Sequence, residues 1–291
     1  MSLISKLTTP IKGKLLRALE SRGYSHYSKY TRPYIIKKHV EGVDFLFLIA
    51  DQHSKTWYDV YSGDGQWKEM AFIRDNLIIP GTTAIECGSH HGMTAILIAN
   101  WLGPSGRVLA LEPSPFNHGV LCENIHLNHV DNISSFQVAA GEERSIITFS
   151  EIPDRSMGSH VSNLESANSI DVELIPVDDY IKLNPSLVKI DVQGYVHQVL
   201  QGMTGLLEQC RPNLAIEIDS PPCTSSMGGV FDDIFKLLDL EGYTYYVSFD
   251  ASCKPEQISI RDVVSAWERI NECSGDIHLF GKSGFYKPDQ L

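Results

Sequence analysis

From Thr82 onward the chain alternates short apolar runs with longer stretches whose apolar residues recur at helical spacing. Residues 82–87, 107–112, 133–140, 187–192, 213–219, 243–249 and 277–280 are rich in β-branched, aromatic or leucine side chains. They are the length of buried strands. Between them, residues 93–101, 114–128, 194–207, 230–240 and 260–271 read as helices. Strand and helix in alternation predict a parallel sheet with helices on both faces. Residues 146–150 and 171–175 form an added β-ribbon in this reading. The intervening residues 153–169, rich in Ser, Asn and Gly without periodicity, are a candidate substrate loop or lid.

The front of the chain is patterned differently. Residues 3–20 read as a basic amphipathic helix interrupted by Pro10 and Gly13, and residues 21–33 as a connecting loop. Residues 34–40 and 43–50 make a hairpin around Glu41-Gly42, with a third short strand near residues 57–61. A helix over residues 67–79 then ends at Pro80-Gly81. This part predicts a small cap on the main domain.

Composition narrows the class. At 291 residues, 43% hydrophobic and 21% charged, the chain suits one large α/β domain with an N-terminal extension. No run of 18 apolar residues occurs, so no transmembrane segment is expected, and no secretory signal is recognisable. The six cysteines are scattered without a CxxC pair, which fits reduced thiols in a cytoplasmic protein. A net charge of −12 argues against nucleic acid as a partner. The charge is uneven, because residues 1–40 hold nine Lys and Arg against one acid, Glu20. Such an arm suits a membrane surface or an anionic partner, or a solvated helix docked on the acidic body. Self-association into a homo-oligomer stays open.

Candidate chemistry gathers at strand ends. In an open α/β sheet the ligand lies beyond the carboxyl ends of the strands near the switch in strand order. Those positions are Glu86, Glu112, Ala139 and Ala140, Asp191, and Glu217 with Asp219. The strand ending at Glu86 runs into Cys87-Gly88-Ser89-His90-His91-Gly92 and then into a helix, a nucleotide-binding βα unit. The residue two after Gly88 is His90, so the dinucleotide pattern G-x-G-x-x-G is absent, and no Gly-Lys-Ser/Thr follows to make a P-loop. That weakens a third reading, an NAD-dependent oxidoreductase. Glu112 ends the next strand, where a carboxylate can accept hydrogen bonds from both ribose hydroxyls; as a helix N-terminal acid before Ser114 it also has a plainer explanation.

Several segments occur together in a recognisable order: Gly81-Thr-Thr-Ala-Ile-Glu-Cys-Gly-Ser-His-His-Gly92, Leu111-Glu-Pro-Ser-Pro115, Asn124-Ile-His-Leu-Asn128 and Val188-Lys-Ile-Asp-Val-Gln-Gly194. Val199-Leu-Gln-Gly202 and Arg211-Pro-Asn-Leu-Ala-Ile-Glu217 follow, and Trp67 with Glu69 matches an aromatic-acidic pair before the first segment. Over about residues 65–220 the chain resembles the FkbM-type methyltransferases that use S-adenosyl-L-methionine (SAM). The resemblance implies a class I methyltransferase fold, a Rossmann-like three-layer sandwich on a mostly parallel seven-stranded sheet. Here it would carry a small N-terminal helix and hairpin extension. Residues 1–65 would be the basic extension and cap, and residues 66–291 the SAM-binding methyltransferase domain. It implies O-methylation of a hydroxyl on a small molecule, of sugar or polyketide type. Glu86, Gly88, His90 and Gly92 would hold the methionine side of the cofactor, Glu112 and Pro113 the ribose, and residues 139–142, with Ala139 and Glu142, the adenine.

Two departures from the family pattern carry consequences. Glu86 stands where members usually carry Asp, and the acceptor is kept. Gln193 stands where a carboxylate usually precedes Gly194, which keeps a catalytically silent SAM- or nucleotide-binding module as the alternative. Methyl transfer requires a positioned acceptor and removal of its proton. Asp191 can orient the acceptor or act as base. His197, early in a helix, is a second candidate, with an ordinary pKa near ~6.5. His53, His90, His91 and His160 are equally placed by sequence alone. A divalent metal on Asp191, Glu217 and Asp219 is the less favoured option.

Overall fold

The computed structural model describes residues 33–58, 63–150, 160–161, 169–250, 253–271 and 276–286. The expected basic helix over residues 3–20 and its loop lie outside the described residues. So does all of the candidate lid at residues 153–169 except His160 and Val161, which form a short strand, and Ser169, which opens another.

The first described elements are a hairpin, β1 (Tyr34–Val40) and β2 (Val43–Ile49), with Glu41-Gly42 at its turn. A helix, α1 (Gln52–Tyr58), follows it. The sequence pattern assigns a strand near residues 57–61, but Trp57 and Tyr58 instead close this helix; residues 59–62 lie outside the described set. Next comes α2 (Lys68–Asn76), shorter than the expected helix over residues 67–79.

The main sheet opens with β3 (Thr83–Cys87), α3 (Met93–Leu102), β4 (Arg107–Leu111), α4 (Pro115–Leu127) and β5 (Ile133–Phe136). Ser114 caps α4 through its Oγ, which accepts from Asn117 N, and Pro115 occupies the first turn where no N–H is missed. The run over residues 133–140 is one strand by pattern and two in space. After β5 the chain leaves the main sheet, and β6 (Ala139–Ala140) pairs with β9 (Ser169–Ile175). Strand β7 (Ser145–Ser150) runs antiparallel to β9 and pairs with β8 (His160–Val161), so the expected ribbon is present as a separate four-stranded sheet.

The chain returns through a 3₁₀ turn over Val177–Leu183 that the pattern does not show, into β10 (Leu187–Ile190). The helix expected over residues 194–207 is split into α5 (Val196–Gln201) and α6 (Thr204–Gln209). The Gly202 carbonyl accepts from Asp178 N at 3.0 Å, so it is spent outside the helix. Then follow β11 (Asn213–Ile218), α7 (Pro221–Ser226), α8 (Phe231–Leu237), β12 (Tyr243–Ser248), β13 (Glu256–Ile258), α9 (Val263–Asn271) and β14 (Ile277–Ser283).

The strand order is β13-β12-β14-β11-β10-β3-β4-β5. Strands β5, β4, β3, β10 and β11 are parallel, and β14, β12 and β13 are antiparallel additions. The expected α/β sandwich with a mostly parallel core is therefore present, one edge strand wider than seven. The order reverses between β3 and β10, which places the switch point beside the glycine turn.

The sheet has two apolar faces. One buries Ile85, Val188, Ile190, Ile216 and Leu279 against α5, α6, α8 and α9. The other buries Ala84, Leu187, Ala215 and Phe280 against α2, α3 and the hairpin, with Phe47, Tyr58, Met70 and Ile96 in the same cluster. The hairpin thus shares a core with the main sheet. Among the described residues no helix is long and apolar enough to cross a membrane.

Candidate active site

Strand register decides which strand-end residues meet. Glu86 pairs with Lys189 and with Ala110, and Lys189 pairs with Ala215. Because side chains alternate along a strand, Glu112, Asp191 and Glu217, each two residues further on, project to the same face as Glu86. The four carboxylates picked from sequence therefore stand along one rim, on the face covered by α2, α3 and the hairpin.

Glu86 is fully buried. Thr94 Oγ1 donates to its Oε1, Lys189 Nζ lies 3.8 Å from the same oxygen, and Oε2 has no hydrogen-bond partner among the described residues. Burial raises its pKa, with the Lys189 charge working in the opposite direction. Lys189 Nζ also lies 3.2 Å from Asp191 Oδ2. Burial disfavours the ammonium, yet Asp191, Glu86, Glu69 and Glu217 together outweigh it and raise the Lys189 pKa. One buried cation thus holds two of the rim carboxylates together.

The glycine turn is built by close approach. Gly88 has φ +84°, and a Cβ there would lie 1.8 Å from the Asp191 carbonyl oxygen. Only glycine lets the β3 and β10 ends meet at the switch point. Gly92, also at positive φ, caps α3 under Leu121. The turn's N–H groups are largely spent internally: Gly88 and Ser89 donate to the Leu111 carbonyl at 2.9 and 3.1 Å, and Gly92 to the Ser89 carbonyl at 2.8 Å.

Glu112, 4% exposed, accepts three hydrogen bonds, one of them from the turn. His90 N donates to Oε2 at 2.7 Å, and Ser114 N and Asn117 Nδ2 to Oε1 at 3.0 and 3.3 Å. Burial nevertheless pushes its pKa up to about 7, against those hydrogen bonds. Pro113, half-buried, leads directly from Glu112 to the cap of α4.

The structure adds a residue the sequence reading passed over. Tyr58, the last residue of α1, places its hydroxyl 2.5 Å from His90 Nδ1. Burial, then Asp191, Glu86, Glu112 and Asp51, raise the phenol pKa well above its usual value. The phenol therefore stays protonated beside the His90 ring. The His90 and His91 rings stack at 3.8 Å, and Phe116 meets His91 edge-on. A cap residue thus reaches the centre of the carboxylate rim.

Other expected positions fall around this centre. Ala139 is buried in β6, and Glu142 is exposed just beyond it, close enough to Tyr195 to raise that phenol's pKa after burial. His197 is buried on α5, on the opposite face of the sheet; a Cβ at Gly229 would lie 3.2 Å from its Cβ, and its described electrostatic partner is Asp233 of α8. The structure does not bring His197 to the rim. Asp219 Oδ2 accepts from Gly194 N at 2.5 Å, and burial lifts its pKa to about 6. Asp191 raises the Glu217 pKa most, followed by burial and Glu69. Among the described residues no group of three His, Cys, Asp or Glu has the geometry to hold a metal ion.

The donor set fits a ligand that is cationic at one end and a diol at the other. Among the described residues, Glu86 offers a buried oxygen with no donor, and Glu112 Oε2 accepts one hydrogen bond. Both carboxyls have raised pKa values in the ligand-free protein, which a nearby positive charge would reverse. A sulfonium with an ammonium group and a ribose supplies those features.

A mostly parallel α/β sheet with a glycine turn at its switch point is an arrangement that binds nucleotide-like ligands. The chain matches the Methyltransferase FkbM domain over residues 86–245, more than half its length, and belongs to the FkbM methyltransferase family. No curated protein matches the chain. Among solved structures, it is similar to the methyltransferase FkbM of Methylobacillus flagellatus KT at 16% identity and a TM-score of 0.45, covering 70% of this chain and 44% of that one. This chain thus spans less than half the length of that protein. A putative rRNA methylase from Clostridium thermocellum aligns at 12% identity over 75% of this chain and 94% of its own, with a TM-score of 0.46. The O-methyltransferase TomG from Streptomyces achromogenes, solved with SAM, aligns at 10% identity over 76% of this chain and 79% of its own, with a TM-score of 0.40. The family assignment rests on the match over residues 86–245.

Proposed function

We propose that the protein transfers the methyl group of SAM to a hydroxyl oxygen of a small molecule, of sugar or polyketide type. The observation that carries this reading is the convergence of Glu86, Glu112 and Asp191 on one face around the Gly88 turn, inside the family-matched segment. Residues 1–65 are read as a cap on a methyltransferase domain over residues 66–291, in keeping with the insertion of Tyr58 at His90.

When bound, the cofactor supplies an electrophilic methyl group on a positively charged sulfur. Glu86 holds the cationic methionine end through its free Oε2, with Lys189 keeping the local charge from becoming excessive. Glu112 accepts from the ribose hydroxyls, Pro113 turns the chain beside it, and Ala139 to Glu142 flank the adenine. His90 presents its backbone N–H to Glu112 and its ring to Tyr58, so it shapes the turn rather than donating to the ligand. Asp191, fixed by Lys189, orients the acceptor beyond the end of β10. Holding the two reactants in line supplies much of the acceleration expected of a direct displacement.

Gln193 favours a second reading, a SAM-binding module without turnover. It sits at φ +49° in the turn before α5, where the family pattern has a carboxylate. Methyl-tritiated SAM incubated with a pool of hydroxylated sugars and polyketides separates the two. Label in an alkali-stable ether supports O-methylation, whereas cofactor binding with no labelled product under any condition supports the silent module.

A further inference from the structure

We infer that His278, held between Glu69 and Glu217, accepts the proton of the acceptor hydroxyl. The inference rests on the methyl-transfer reading above and names a group that neither the family pattern nor the strand-end search supplied.

His278 is the second residue of β14, which runs antiparallel to β11 with Glu217 directly opposite it. Opposed residues of an antiparallel pair project to the same face, so His278 extends the row formed by Glu86, Lys189, Asp191 and Glu217. The burial pattern agrees: Ile277 and Leu279 enter the far core, and Phe280 packs on the near side with Ala215. From α2 above that face comes Glu69, in the first helical turn after Trp67. The imidazole Nδ1 lies 3.6 Å from Glu69 Oε2 and 4.0 Å from Glu217 Oε2.

The two ring nitrogens are not equivalent. Nδ1 is sealed from solvent without a hydrogen bond inside the usual limit, and the ring is 13% exposed. Nε2 is neither sealed nor bonded among the described residues, and His278 itself stands at the strand-end rim, second in β14 and opposite Glu217. Contacts of 3.6 to 4.0 Å in a ligand-free site are of the kind that tighten when substrate binds. The charged groups around the ring are Glu69 on α2, Glu217 on β11, Asp191 and Lys189 on β10, and Asp276 just before β14. Across β12, Ser248 pairs with His278, but its Oγ donates to the Asp250 carbonyl. Asp191 is the weaker choice of base because its Oδ2 already faces Lys189.

A carboxylate against Nδ1 sets the neutral ring with its proton there and leaves the Nε2 lone pair outward, and it stabilises the imidazolium that forms. In the step, the acceptor O–H bond breaks and its proton moves to Nε2. The oxygen's electron pair forms the bond to the methyl carbon, and the carbon–sulfur pair departs with sulfur, which becomes a neutral thioether. Positive charge passes from sulfur to His278, where Glu69 and Glu217 meet it. Glu69 and Glu217 are positioning residues in this scheme.

Long-range proton–nitrogen NMR of the ¹⁵N-labelled, ligand-free protein at pH 8 tests the arrangement without any acceptor. The ring whose signals vanish in His278→Gln should carry its proton on Nδ1, and Glu69→Gln combined with Glu217→Gln should move that proton toward Nε2. A ring protonated on Nε2 in the wild type overturns the proposal. Where the wild type methylates the hydroxylated pool, His278→Gln should lower single-turnover transfer by about 100-fold or more, with the SAM Kd within about twofold. It should also remove the acidic limb of the rate–pH profile. Transfer at the wild-type rate would equally overturn it. A pool that is never methylated counts against the O-methylation reading, while the tautomer result still decides the role of His278.

Discussion

The Tyr58 hydroxyl lies 2.5 Å from His90 Nδ1, so the helix that follows the N-terminal hairpin is tied to the turn that carries the cofactor motif. Tyr58 is also clamped from behind, because Lys38 Nζ donates to its carbonyl. The N-terminal hairpin and its helix are therefore linked to the main sheet by a polar contact as well as by the shared core around Phe47 and Met70.

Removal of that hydroxyl isolates the contact. Tyr58→Phe keeps the ring against Phe47 and His91 and leaves His90 Nδ1 without this partner. The expected cost is about 1–2 kcal/mol in urea denaturation, the range for a buried hydrogen bond lost from one side. Cofactor affinity should fall several-fold, because His90 N also supports Glu112. Unchanged stability and affinity would show that the cap does not brace the turn.

Gly88 and Gly103 make a matched pair, both at positive φ. A Cβ at Gly88 meets the Asp191 carbonyl at 1.8 Å, whereas one at Gly103 meets nothing within 4 Å. Gly103, at φ +75° and ψ −179°, occupies a region that is nearly glycine-only, and Gly103→Ala should cost about 1–3 kcal/mol, the backbone penalty alone. Gly88→Ala adds a backbone collision and should cost about 3–5 kcal/mol or prevent folding. Similar losses for the two in parallel denaturation curves would refute the close approach at the switch point.

Glu112 should give a measurable pH dependence. Its folded pKa, about 7, lies above the unfolded value of about 4.3, so the folded state binds the proton more tightly. Its contribution to stability is then greatest below about pH 4 and is lost as the pH rises toward 7, amounting to at most about 4 kcal/mol. Glu112→Gln should become more stable relative to wild type across that interval and level off above it. Ribose hydroxyls donate best to the ionised carboxylate, so wild-type SAM affinity should strengthen between pH 5 and 8 while the variant's stays flat. A flat wild-type profile in calorimetric titrations would remove the ribose assignment.

Lys189 lies between Glu86 and Asp191 with 5% exposure. Lys189→Met leaves the carboxylates without their cation and should destabilise by about 3–5 kcal/mol at pH 8. The raised carboxyl pKa values mean that acid partly restores the variant: protonation is favoured in the folded state, so the deficit should shrink at pH 5. An equal deficit at both pH values would contradict a charge-compensating role.

Much of this site is legible in the sequence because buried apolar strands that end in an acid are rare enough to notice. Glu86, Glu112, Asp191 and Glu217 were each visible as such endings, and strand periodicity alone carries them to one face. The ribbon of β7 and β9 is equally visible as two alternating runs. The strand over residues 133–140 is not, since nothing local shows that Ala139 and Ala140 pair with Leu174 and Ile175 rather than with β4. Tyr58 is hidden because a seven-residue polar helix has no period to read, and its partner lies 32 residues away. His278 is a lone polar position in an apolar strand, meaningful only once the register sets it opposite Glu217. His197 misleads for the converse reason: an early helical position after β10 looks close to the rim, but α5 packs on the other face.

Calorimetric titration of the full chain with SAM, its demethylated product and NAD tests the central claim most directly. The account predicts saturable binding of SAM and the demethylated product, weakened by Glu112→Ala, and no binding of NAD. Binding of NAD with no response to either sulfur compound would contradict it.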